Sequence, residues 1–225
     1  MIPGMENSIL PPSDKPTASV AERTIERTLS EPYSAARQEV ARLLDAARET
    51  MRETGSVDPR VSEIVRRAGS SNQAFYRHFR SKDELLLALL DQGLRELVEQ
   101  LETRMAEASA AANKVERWIA GIVRQATDPE AARSARPFVA NRARLAEQFP
   151  DEERRCVALL VEPLERAIKE GAASGEFDLA DPGRDAEAIY HLAMGWMQSR
   201  MFNDEPGDSD DLGRLTAFAM RGLGA

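Results

Sequence analysis

Residues 58–90 read DPRVSEIVRRAGSSNQAFYRHFRSKDELLLALL. Two short amphipathic segments stand in this stretch with a glycine between them. Val61, Ile64, Val65 and Ala68 recur at spacings of three and four, which is one face of a helix. Gly69 can take the positive φ that a tight joint needs, and Ser71 can cap a second helix. This is the spacing of a helix-turn-helix. On a helical wheel, Phe75 and Phe79 fall on one side of the second segment and so face the core. Gln73 and Arg77 point directly away. Tyr76 and Ala74 lie on one flank each, with His78 beside Ala74. The outward face is therefore amide, guanidinium and phenol, with Asn72 at its leading end. Such side chains can read base edges in a major groove. Lys82 and the unpaired N–H groups at the next helix start suit a phosphate.

Working outward, the periodicity stays helical. Ala36, Val40, Leu43, Ala47 and Met51 predict a helix from Ser34 that Gly55 ends. Asp58-Pro59, Asp128-Pro129 and Asp181-Pro182 read as helix starts, since Asp caps the first turn and Pro suits the first helical position. Ser81–Glu84 and Asn113–Glu116 read as capping boxes. Leu86, Leu89, Leu90, Leu94, Leu97, Leu101 and Met105 form a long stripe, and Val115, Trp118, Ile119, Ile122 and Val123 another. Pro137 is expected to interrupt the next helix. Residues 151–174 predict one bent at Pro163 and stopped by Gly175. No period-2 strand pattern and no repeat stands out. The expected fold is all-α, about nine helices: a Pro-rich disordered tail over 1–33 with at most a short helix from Val20 to Leu29, a helix-turn-helix domain over 34–82, and a helical body over 83–225.

Composition narrows the function. The 225 residues carry 42% hydrophobic, 30% charged and only 5% aromatic residues, an ordinary soluble profile. No apolar run reaches the ~18–20 residues of a membrane span, and the first thirty residues do not read as a secretory signal. One cysteine excludes an internal disulfide and a Cys-based zinc module. Two histidines without a ligand cluster, no Ser/His/Asp set and no Gly-rich phosphate loop speak against an enzyme. No cofactor is expected, and the cytoplasm is the default compartment. The net charge is −8, yet residues 58–82 alone carry +4, leaving −12 for the rest. A basic segment on an acidic body suggests one localised anion-binding surface.

Gly69-Ser-Ser-Asn-Gln-Ala-Phe-Tyr-Arg-His-Phe-Arg-Ser-Lys82, with a helix ahead and Asp-Glu-Leu-Leu-Leu behind, resembles the DNA-binding domain of TetR-family transcriptional regulators. The likeness spans residues 36–90. Its aromatic-His-Phe pattern followed by Ser-Lys and leucines is more specific than a generic helix-turn-helix. Two positions depart from the family pattern. Asn72-Gln73 stands where a small residue or a Lys-Gly pair is frequent, which should alter the operator. Pro59-Arg60 stands where Thr or Ser is frequent, which bears on a common phosphate contact. The resemblance implies a homodimer that binds a double-stranded operator through Arg60, Ser62, Ser71, Asn72, Gln73, Tyr76, Arg77, His78 and Lys82. It also implies a C-terminal domain that binds a small effector and thereby releases DNA.

For that effector the candidate pocket positions are Trp118, Ile122, Phe138, Leu160, Leu164 and Met194, most of which also read as plain core. Arg142 on the Phe138 face could pair with a ligand carboxylate or phosphate. The helix from Pro182 to Met201 has two apolar faces, Ile189, Leu192, Ala193 and Trp196 on one and Tyr190, Met194, Met197 and Met201 on the other. Together with Leu215 and Phe218 of the last helix, Ile189, Leu192 and Trp196 are the expected subunit interface. His191 and Cys156 read as structural, Cys156 as a buried inert thiol. The leading reading is a repressor released from a palindromic operator by a small hydrophobic effector. An activator, a regulator controlled by a protein partner, and a helical-bundle enzyme or carrier are the alternatives.

Overall fold

The computed structural model describes residues 20–202 and 210–225, with side chains from Ser34 onward. Nine helices and no strand occur among the described residues: α1 Val20–Thr54, α2 Val61–Arg67, α3 Asn72–His78, α4 Lys82–Ala106, α5 Ala111–Thr127, α6 Pro129–Gln148, α7 Pro150–Ser174, α8 Pro182–Phe202 and α9 Asp211–Leu223. The chain divides into two units, residues 1–41 and 42–225, with the joint inside α1. The first helix begins at Val20, not at Ser34. The disordered tail expected over 1–33 is thus corrected for residues 20–33, whose backbone is helical; residues 1–19 lie outside the described residues.

Within residues 42–225, α5 is the axis. It packs against α4, α6, α7, α8 and α9, and Val115, Trp118, Ile119 and Ile122 are essentially fully buried. Around them close Leu101 of α4, Leu160, Leu164 and Ile168 of α7, Phe177 between α7 and α8, Ile189 and Ala193 of α8, and Leu215 and Leu223 of α9. Helix α5 starts at Ala111 behind an uncapped Ala110, so the Asn113–Glu116 capping box does not form. Its first turn is capped from a distance instead: Glu176, between α7 and α8, accepts from the Ala112 N–H at 3.2 Å. Backbone N–H groups of Ala111 and Ala112 hold that carboxyl below its ordinary value. Asp128 caps α6 as expected, accepting from Glu130 and Ala131. At α8 the polarity is reversed, because Asp185 accepts from the Asp181 N–H at 2.6 Å. Pro137 does not interrupt its helix; α6 runs unbroken from Pro129 to Gln148.

Close approach explains one glycine. A Cβ on Gly171 would fall on the Phe177 ring and the Ala111 Cβ, two neighbours that cannot swing aside. Gly171→Ala is expected to cost about 1–3 kcal/mol by overpacking, lowering Tm by roughly 2–12 °C at ~2–4 °C per kcal/mol for this chain size. Gly93 in α4 has nothing within 4 Å of an added Cβ, so Gly93→Ala should instead raise Tm slightly through helix propensity. Thermal melting of both variants checks the pair.

Candidate nucleic-acid interface and cavity

Helix α2 ends where Gly69 takes φ +60°. There the Ser70 N–H reaches back to the Val65 carbonyl at 2.8 Å, the six-to-one closure that a left-handed residue permits. Ser71 then caps α3, its Oγ accepting from the Ala74 N–H at 3.1 Å. Ile64 and Phe75 are fully buried, and Val65, Ala74 and Phe79 nearly so. Phe75 and Phe79 lie 5.6 Å apart, and Tyr76 meets the Phe75 ring edge-on at 5.1 Å. This anchoring fixes the rotation of α3. Asn72, Gln73, Tyr76 and Arg77 consequently face solvent, Tyr76 at 59% exposure, while His78 is half-buried. Arg60 and Ser62 are exposed at the head of α2.

The start of α4 is more engaged than the sequence suggests. Ser81 Oγ accepts from the Glu84 N–H at 3.1 Å, but Glu84 returns its carboxylate to the Arg80 N–H, one residue before the cap. Asp58 does not cap α2, whose N-cap is Arg60 with no side-chain bond. Its carboxylate pairs with Lys82 Nζ at 2.5 Å. The Lys82 hydrogen bond, with Arg144 nearby, holds the Asp58 carboxyl below its ordinary value against the opposing effect of burial. Arg67 is tied to Glu53 of α1.

Two residues of α6 that the sequence did not single out join this cluster. Arg144 bridges Asp83 at 3.0 Å and Asp58 at 3.7 Å. Asn141 donates to the carbonyls of Val57 at 2.6 Å and Pro137 at 2.7 Å, and accepts from Arg144 at 2.7 Å. The joint between α1 and α2 is thereby held by a helix far along the chain. No periodicity or cap pattern relates positions 57 and 141.

Helix α6 also borders a cavity of about 470 Å³ between α1, α4, α5, α6, α7 and α8, within the ~300–1,000 Å³ usual for small-molecule sites. Ile122, Phe138, Arg142, Leu160 and Met194 line it. Trp118 and Leu164, also expected there, are not among its walls; both are wholly buried in the core. Arg142 is not waiting for a ligand carboxylate: its Nε donates to Glu153 at 2.9 Å, and its guanidinium lies 5.8 Å from the Tyr190 ring centre. Burial pushes the Tyr190 phenol up, against the pull of Arg142. The Cys156 thiol in the cavity wall is likewise raised by burial, the opposite of a reactive thiolate. His191 is exposed and stacks edge-on against Tyr190 at 5.1 Å.

The expected interface residues separate into two groups. Ile189 and Leu215 are buried in their own core, so they are corrected to intramolecular packing. Leu192 and Trp196 are half-buried and Phe218 is 61% exposed. Among the described residues, no group of three or more His, Cys, Asp and Glu could hold a metal, and no helix is long and apolar enough to cross a membrane.

Comparison with known proteins fits this geometry. Residues 43–89 match the family model of bacterial regulatory proteins of the tetR family. The fatty acid metabolism regulator protein of Bacillus subtilis (strain 168) is 28% identical over 79 residues, 35% of this chain and 41% of that protein. The HTH-type transcriptional regulator BetI of Brucella suis biovar 1 is 36% identical over 78 residues, 35% of this chain and 39% of that protein. The matches thus span about two fifths of these curated relatives. Among solved structures, RolR in complex with resorcinol has a TM-score of 0.67 at 18% identity, covering 86% of this chain and 91% of that one. FadR from Bacillus subtilis in complex with stearoyl-CoA has a TM-score of 0.62 at 20% identity, covering 82% and 97%. At such identities the likeness is one of fold.

Replacing Asn141 by Ala leaves the Val57 carbonyl without its partner. The expected cost is about 1–3 kcal/mol, or roughly 2–12 °C in Tm, measured by calorimetry. An unchanged Tm would show that this bond does not hold the α1–α2 joint.

Proposed function

We propose, from the premise that the DNA-binding domain of this chain is of the TetR family on a body of that family's fold, that the protein is a cytoplasmic transcriptional repressor. In this reading it binds a palindromic operator as a homodimer and leaves it when a small hydrophobic effector enters the cavity. The observation that carries the reading is the solvent-facing side of α3. Asn72, Gln73, Tyr76 and Arg77 stand on a helix whose rotation is fixed by Phe75 and Phe79. Helix α6 supports the effector part, since Phe138 and Arg142 line the cavity while Asn141 and Arg144 hold the α1–α2 joint and the head of α4. Proteins of this fold hold small molecules, resorcinol and stearoyl-CoA in two neighbours. A homodimer is supported by the outward sides of α8 and α9, where Leu192, Trp196 and Phe218 leave apolar surface uncovered.

Positioning and reading on the DNA surface separate experimentally. Gln73 can pair bidentately with adenine, worth roughly 1–3 kcal/mol of discrimination. Gln73→Ala should relax preference at one position of each half-site and leave nonspecific affinity nearly unchanged. Lys82 is a point charge that would trade Asp58 for a phosphate. Lys82→Ala should weaken binding to all sequences alike and lower the salt slope by about 0.9 for each phosphate left unneutralised. Binding to a library of operator variants at several salt concentrations checks both; a uniform loss for Gln73→Ala would remove α3 from the groove.

Phe218 is exposed enough that Phe218→Glu should leave the subunit folded. Sedimentation velocity should then find monomers with an unchanged helical circular dichroism spectrum. Intact dimers would move the interface away from α8 and α9.

A further inference from the structure

The polar end of the cavity has a charge balance that selects among ligands, a point that deepens the effector reading and rests on it. Arg142 Nε and its terminal nitrogen both approach Glu153 Oε1, at 2.9 Å and 2.8 Å. The two side chains keep only 36% and 20% of their exposure, and Tyr190, beside the guanidinium, keeps 2%. The cation is therefore already met by a full anion and by an aromatic face. An entering carboxylate or phosphate would set a second anion on one guanidinium, beside Glu153, in a partly desolvated site. Either Glu153 gives up its partner or two like charges share the space, and both are unfavourable. An entering ammonium would face Arg142 in the same way.

A neutral hydroxyl meets no such conflict. Its O–H can donate to the Glu153 carboxylate, a charge-assisted bond, through Oε2, since both Arg142 contacts fall on Oε1. Its oxygen can accept from a remaining guanidinium N–H. Ile122, Phe138, Leu160 and Met194 form apolar wall for the rest of the molecule, and the other charged residues of the lining carry both signs, Arg48, Arg52, Arg124 and Arg133 with Glu96, Asp128 and Glu130, with Arg48 paired to Glu96 and Arg52 to Glu49. We propose that the cavity takes an uncharged apolar molecule carrying a hydroxyl group, a phenol or an alcohol, with Glu153 and Arg142 as the pair that recognises the hydroxyl.

The test is calorimetric titration of the full chain at neutral pH with three probes of one shape: 2-naphthol, naphthalene and 2-naphthoate. 2-Naphthol is expected to bind at least tenfold more tightly than either of the others. Glu153→Gln removes the anion, so it should erase the advantage of 2-naphthol over naphthalene and strengthen 2-naphthoate tenfold or more. The wild-type series decides the charge preference alone should the variant not fold. Tightest binding by 2-naphthoate, equal binding by 2-naphthol and naphthalene, or no binding by any probe overturns the proposal. Operator release is measured separately. Preferential binding of 2-naphthol without release upholds the ligand class and removes the effector-released repressor; release by 2-naphthoate in preference to 2-naphthol does the reverse.

Discussion

The buried indole of Trp118 ties the body together. It is wholly enclosed, and its Nε1–H donates to the Leu160 carbonyl at 3.0 Å, joining α5 to the middle of α7. A buried indole N–H without a partner would be costly. Pro163, in the same turn as this acceptor, has no N–H to return to the Leu159 carbonyl next to it. Because α5 also meets α4, α6, α8 and α9, this one registration sets the frame on which the cavity walls stand.

Within that frame α6 is the helix with two duties. Pro137, Phe138, Arg142 and Leu145 line the cavity. Asn141 and Arg144, within the same turns, hold Val57, Asp58 and Asp83. A helix moves as a body over such a short span, so a displacement of its cavity-lining residues cannot leave Asn141 and Arg144 in place. The bonds these two make are few and directional, which makes them sensitive to small shifts. Leu145 is 2% exposed, and the close packing of such residues resists graded deformation.

What is legible in the sequence is local. Gly69, Ser71 and Ser81 act within four residues of themselves, and their roles follow from backbone chemistry that needs no neighbour. Phe75 and Phe79 follow from the helical period alone. The failures share the opposite property. The Pro after Asp58 makes that residue read as a cap, but Lys82 and Arg144, distant in sequence, compete for the same carboxylate. Asn113 has no capping role because Glu176 caps the helix from the far side. Periodicity places Trp118 and Leu164 on inward faces correctly and cannot say which inward positions border empty space. For Ile189 and Leu215 it cannot tell a face turned to the subunit's own core from one turned to a partner.

The same distinction changes the meaning of the basic segment. Counted along the sequence, residues 58–82 hold an excess of four positive charges. In the fold, Arg67 is spent on Glu53, which lies outside the counted stretch, so the field there is weaker than the count; Lys82 and Asp58 also pair, though both are already in the sum. On the proposed DNA-binding reading, a phosphate approaching Arg67 or Lys82 would have to win its cation from a carboxylate. That exchange costs little where the pair is exposed, because surface ion pairs contribute about 0–1 kcal/mol, whereas each phosphate neutralised releases counterions. Asp58 is half exposed, but it is also a partner of Arg144. Were Lys82 to turn to a phosphate, as the proposed function has it, the carboxylate it leaves would not be stranded, since Arg144 stands 3.7 Å away. On that reading the cation on α6 would lower the cost of freeing the cation on α4.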